Sequence, residues 1–233
     1  MNIVDIVILV LLGVSVLVGL YRGFIVTVLS TGGCIGSIYL SLLLYPRLAG
    51  LIQGNAGLQR TLLTYTDASS RLGDLETGLT QVTQLTAEKI TEIVQKAKLP
   101  DVFSGLLRTN LENRVFTGIS NVTDYVSETI VTAFINILCF IACFVVIYMV
   151  WSLAVRLLDA VFHFPVLKQL NALAGGVFGL LRGLLLVYVC FALVPMVETV
   201  LPVQAVSSLI AESRLAPLFN NGVLVNAVMT GRL

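Results

Sequence analysis

Few residues in this sequence could do chemistry. His163 is the only histidine, and it lies four residues after Asp159. On a continuing helix the two would share a face, and such a pair could orient a base or shuttle a proton. No serine or cysteine nucleophile motif accompanies it, and Phe162, Phe164 and Pro165 surround it. It reads as a histidine of an interfacial loop. Cys139 and Cys143 are four apart, with no third ligand near them in sequence; Cys34 and Cys190 stand alone. All four lie in apolar runs and read as small packing residues. No CxxC, GxSxG, HExxH or phosphate-loop pattern occurs. The sequence therefore offers no catalytic, cofactor-binding or metal-ligating residue, and it reads as a protein that is not an enzyme.

The elements that would carry these residues are set by hydrophobicity. Hydrophobic residues make up 57% of the 233 and charged residues 12%, with a net charge of +1. A soluble domain carries about 25% charged residues, so a cytosolic globule is excluded. Disorder is excluded by the same hydrophobicity, and the absence of a basic excess removes nucleic acid as a partner. Residues 46–128 hold 17 of the 27 charged side chains. The pattern is apolar, polar insert, apolar, short tail. It predicts an all-α, polytopic helical membrane protein with about four transmembrane helices and an extramembrane helical insert.

A spanning helix needs about 20 apolar residues. Ile3–Leu20 is such a run, and it has neither a basic n-region nor a clear cleavage site, so a retained helix is expected over a signal peptide. Phe24–Tyr45 follows after Tyr21-Arg22-Gly23, which predicts a tight hairpin over 1–45. Ile130–Val155 is the third run and Ala172–Val200 the fourth, with Pro195 and Pro202 kinking or ending it. Residues 129–201 thus hold the second membrane pair, and 202–233 form an amphipathic tail. Arg22, Arg156 and Lys168 in short loops place those loops inside. The N-terminus, insert and tail are then outside.

The membrane segments contain an internal repeat. Ser15, Gly19 and Gly23 match Gly175, Gly179 and Gly183, and Arg22 matches Arg182 in the same register. Small residues four apart lie on one helix face and let another backbone approach closely. Gly32 and Gly36 offer a third such surface. Arg22 falls between two runs and serves as a turn anchor. Arg182 lies about ten residues into its run, where a charge costs about 2.5–3.5 kcal/mol. It needs a partner or a shallow position. Either 166–181 is a re-entrant limb, or one long helix starts near Asn171 and turns Arg182 into the bundle. Asp5, Asp159 and Glu198 are candidate partners, although Asp5 also reads as an interfacial residue.

The sequence resembles the colicin V production protein family, in a longer form with a polar insert after the second helix. The resemblance rests on Asn2-Ile3-Val4-Asp5, on Gly19-Leu20-Tyr21-Arg22-Gly23-Phe24, and on Asn171-x3-Gly175-x3-Gly179-Leu180-Leu181-Arg182-Gly183. Val122-Thr123-Asp124-Tyr125-Val126 carries it into the third helix. It implies a multi-pass protein of the cytoplasmic (inner) membrane of a bacterium, linked to peptide toxin production or export and to envelope maintenance. It implies no catalytic residues and no cofactor. The lipid bilayer is the expected partner, with a homo-oligomer or a membrane or secretion protein as further candidates.

The insert 46–128 is predicted to be helical. Leu75, Leu79, Val82, Leu85, Ile90, Ile93, Val94 and Ala97 make one apolar stripe, stopped at Pro100. Leu111, Val115, Ile119, Val122, Val126 and Ile130 make another that leads into the third run. Such faces cap their own bundle, dock a partner or lie in the interface.

Overall fold

A computed structural model of the chain describes residues 2–55, 57, 79, 82, 85–97, 99, 101–113, 119, 121–161, 168–194, 204–219 and 228. The principal helices are α1 (Ile3–Arg22), α2 (Phe24–Gln53), α3 (Ala87–Lys96), α4 (Asp101–Asn113), α5 (Val122–Val161), α6 (Lys168–Phe191), α7 (Gln204–Ala211) and α8 (Ala216–Phe219). No strand occurs among the described residues. Four helices are long and apolar enough to cross a membrane: Ile3–Arg22, Phe24–Gln53, Val122–Asp159 and Leu170–Phe191. The protein is an all-α, multi-pass membrane protein.

Two compact units divide the chain. One comprises Met1–Tyr45, Phe140–Leu193 and Val203–Asn221; the other comprises Pro46–Cys139, Val194–Pro202 and Gly222–Leu233. The first unit is apolar on its outside. Along α1 the exposed residues include Ile3, Ile6, Val7, Leu9, Val10, Leu11, Val14 and Leu17, while Asp5, Ser15 and Gly19 are buried. A water-soluble bundle has the reverse arrangement. Lipid solvates this one, so the polar and small residues are what the helices turn toward each other.

The hairpin between α1 and α2 is built by Gly23, the one glycine with positive φ (82°) among the described residues. Its N–H donates to the Gly19 carbonyl at 3.0 Å, closing α1. Thr27 Oγ1 donates to the Gly23 carbonyl at 2.7 Å, which ties the turn to the first turn of α2. On the other face of α2, the Trp151 indole of α5 covers Gly33, where a Cβ would collide with the ring. Its Nε1 donates to the Leu29 carbonyl at 2.9 Å. Tyr45 meets Phe140 edge to face at 6.3 Å.

The second unit is apolar on its inside. Ile90, Ile93, Phe103, Leu106, Leu107, Leu111, Val122, Tyr125, Val126, Ile130 and Phe134 are buried, while Glu88, Lys89, Glu92, Arg108 and Glu112 are exposed. Tyr125 donates its hydroxyl to the Asn110 carbonyl at 2.6 Å, joining α5 to α4. Phe103 packs on Phe134 at 6.0 Å. Lys96–Glu92 and Arg108–Glu112 are exposed pairs one turn apart, of a kind worth about 0.3–0.5 kcal/mol each.

Several sequence expectations are revised by these helices. α2 passes through Pro46 to Gln53 instead of ending at Tyr45; proline removes one hydrogen bond and the flanking Leu and Ala residues carry the helix on. The stripe from Leu75 to Ala97 is not one helix. α3 begins at Ala87 behind the Thr86 cap, Leu79 is exposed, and Leu75 lies outside the described residues. The stripe from Leu111 to Ile130 is shared between two helices, because α4 ends at Asn113 and α5 starts at Val122. Finally, residues 130–137 of the third apolar run belong to the core of the second unit. The exposed apolar side chains of α5 begin at Leu138 and end at Leu158, about the length a bilayer crossing takes.

Candidate functional site

The repeated segments meet each other. α1 and α6 pack antiparallel along their glycine stripes. A Cβ on Gly19 would run into the Gly175 carbonyl, and one on Gly175 into the Gly19 carbonyl; one on Gly179 would lie 2.6 Å from the Ser15 carbonyl. Gly183 faces Ser15 and Leu12, and Gly176 faces Leu20. The contacts are paired under exchange of the two copies. Gly19 against Gly175 corresponds to Gly179 against Ser15, and Gly23 against Gly175 corresponds to Gly183 against Ser15. The crossing therefore has an internal pseudo-two-fold centred near Gly19 and Gly179. Backbone atoms touch here, so van der Waals packing reaches its full density without intervening side chains.

Gly32 and Gly36 do not extend this surface. A Cβ on either would meet nothing within 4 Å. The neighbouring Gly33 is the one that is packed, beneath Trp151. Small-residue spacing marks a helix face, but which face is covered depends on where the next helix stands.

Arg182 is 6% exposed and lies at this crossing. Its Nε donates to Ser15 Oγ at 3.3 Å, and Nη2 to the same oxygen at 3.2 Å and to the Ser15 carbonyl at 3.4 Å. Nη1 donates to Ser30 Oγ at 3.1 Å. Ser15 Oγ in turn donates a hydrogen bond to the Gly179 carbonyl at 2.7 Å. One guanidinium thus links α6 to α1 and to α2. Thr31 Oγ1 adds a bond to the Phe178 carbonyl at 3.1 Å, and Phe24 meets Phe178 edge to face at 5.4 Å. Among the described residues no carboxylate pairs with Arg182. Asp5 is engaged elsewhere, Asp159 is exposed on α5, and Glu198 lies outside the described residues. α6 runs unbroken from Lys168 through Arg182 to Phe191, so a long helix turned into the bundle replaces the re-entrant limb.

Arg22 has a different setting. Gly23 turns the chain immediately after it, which leaves Arg22 half-buried at the end of α1 beside a 94% exposed Tyr21. The partners also differ. In the repeat register, Ser15 and Ser30 correspond to Gly175 and Cys190, which lack the hydroxyls that hold Arg182.

Asn171 went unassigned in the sequence reading although it opens the second glycine stripe. Its Oδ1 accepts the Phe24 N–H at 2.8 Å, supplying from α6 the cap that α2 lacks locally. It sits where a side chain on Gly23 would stand. Ser30 carries no signal for the same reason, and Trp151 reads in sequence only as an interfacial anchor, since their partners are over a hundred residues away. The asparagine-glycine spacing was visible; its meaning was not.

Asp5 is buried at 1% exposure. Asn2 and Asp5 form a capping box at the start of α1, and Asp5 Oδ1 also accepts from the C-terminal segment. His163 lies outside the described residues. Cys139 and Cys143 both lie on α5, and no metal-holding cluster occurs among the described residues. The hydrogen bonds of Arg182 and Ser15 tie α6 to α1 and α2, an arrangement suited to holding three helices in register.

The order of these features along the chain now decides its kinship. A family model described as Colicin V production protein matches residues 4–75 and 115–224. The chain belongs to that family. Both glycine stripes, Arg22, Arg182, Ser30, Asn171 and Asp5 fall inside the matched segments. Residues 76–114, which include α3 and α4, fall in the gap and form an insert relative to the family pattern. No curated protein and no solved structure matches the chain.

Proposed function

We propose that this colicin V production family member is a non-enzymatic component of the cytoplasmic membrane of a bacterium. It supports the production or export of a peptide toxin, or upkeep of the envelope, by holding a fixed helix arrangement for other membrane components or further copies of itself. The observation that carries this reading is the Arg182 clasp. A buried charge is spent on serine hydroxyls between three close-packed helices, where it stabilises their register. Membership of the colicin V production protein family supports the link to toxin production. The test is complementation of a strain lacking the protein, reading toxin released into the medium. Gly179→Leu should abolish release by separating α1 from α6, whereas Arg182→Lys should retain it.

A second reading is a small transporter or channel. The pseudo-two-fold contact between the repeats favours it, because many transporters are built from internal repeats. In that case Arg182 would line a hydrated path, and Arg182→Ala would abolish solute flux in reconstituted vesicles. Absence of flux in vesicles holding the unaltered protein, with release lost in Gly179→Leu, decides for the scaffold.

A further inference from the structure

The segment Gln204–Phe219 is fastened to the start of α1 at Asp5 and, beside it, Asn2. Asp5 Oδ1 accepts the Ser213 hydroxyl at 2.6 Å and the backbone N–H groups of Arg214 and Leu215, both at 3.0 Å. Asp5 Oδ2 accepts the Asn2 N–H at 3.0 Å, and Asn2 Nδ2 reaches the Leu209 carbonyl at 2.7 Å. Ser213 Oγ in turn accepts the Ala216 N–H at 3.0 Å, which starts α8. Among the described side chains of the segment, the buried apolar ones are Ala216 and Phe219, and Phe219 rests on Phe191 of α6 at 5.6 Å.

Helices of eight and four residues are marginal without docking. A segment with few buried contacts opens locally at lower cost than a close-packed core. Here three of the four hydrogen bonds that fasten the segment to Asn2 and Asp5 also converge on one atom, Asp5 Oδ1. We propose that Gln204–Phe219 is a releasable strap closing this end of the α1–α6 pair, with Asp5 as its buckle. Removing the carboxylate strands the Ser213 hydroxyl and two N–H groups together, so the strap lifts as a unit. Lifting uncovers Asp5 and Phe191. The glycine crossing is left in place, because its contacts lie further along α1, from Leu12 to Gly23. This inference does not depend on the function proposed above.

Trypsin cleavage after Arg214 reads the strap directly, because a protease needs an extended, unbonded backbone at the Arg214–Leu215 bond. The experiment uses the full chain in lipid nanodiscs, where both faces are open to the enzyme. Cleavage after Arg108 on α4, an exposed site in the other unit, is the internal reference. Asp5→Ala should speed cleavage at Arg214 by at least about tenfold, the scale expected when charge-assisted hydrogen bonds are lost. Ser213→Ala should speed it less, and both variants should leave Arg108 unchanged. Native-rate cleavage at Arg214 in Asp5→Ala overturns the proposal. If Asp5→Ala fails to assemble, Ser213→Ala decides alone: a native rate at Arg214, or equal acceleration at both sites, overturns it.

Discussion

Arg182 and Arg22 share a sequence pattern and have different surroundings in space. Both precede a glycine and follow a small-residue stripe. The difference lies in hydroxyls supplied by other helices. Ser15→Ala removes an oxygen that accepts twice from Arg182 and once donates to Gly179. The buried guanidinium then loses partners, which costs about 1–3 kcal/mol; a drop in the thermal midpoint of the detergent-solubilised protein measures it. Glycines separate in the same way. Gly19→Ala and Gly179→Ala force backbones apart and should destabilise by about 1–3 kcal/mol. Gly13→Ala and Gly32→Ala enter open space within helices and should be neutral or stabilise by about 0.5–1 kcal/mol. The same melting experiment compares all four, and equal losses at the packed and open positions would contradict the crossing described here.

At the scale of elements, the membrane helices are joined by polar side chains that finish what a neighbouring helix lacks. α2 begins without a local cap and takes one from Asn171. Asn171→Ala should cost about 0.5–2 kcal/mol, the range for a lost N-terminal cap. Its signature is faster amide exchange at Phe24 with little change at Thr27, whose N–H is bonded to the Gly23 carbonyl at 3.2 Å. α5 shows how an element serves two environments. Its first part is buried in protein from Val122 to Ile137, and its later part is exposed and apolar from Leu138 to Leu158. Hydropathy reads both as one greasy run, since a protein core and a lipid tail demand the same side chains. Periodicity does not separate them either, because the early part of α5 is covered on most sides.

For the molecule as a whole, exposed apolar surface marks where lipid must be. Between Leu51 and Leu138 only Leu79 is an exposed large apolar side chain among the described residues, while α1, α2, α5 beyond Leu138 and α6 carry many. A lipid-dissolved carbene label should therefore tag positions such as Val146, Met149 and Leu153 of α5 and spare Ile130 and Phe134. Labelling that extends evenly from 122 to 158 would return the whole helix to the bilayer. The full chain should also stay with vesicles through alkaline washing.

The amino-acid sequence by itself determined the class and the number of spans. It also determined the glycine register and the place of the tight turn. Each follows from local composition: apolar length, spacing of four, a glycine where the chain must reverse. The tertiary structure alone decided that the two glycine stripes pack on each other and that Gly32 and Gly36 lie outside that contact. It likewise decided that Arg182 is held by serines and that Asp5 fastens the tail. Those outcomes depend on which residues meet across more than a hundred positions of chain, and spacing along one helix carries no record of its neighbour.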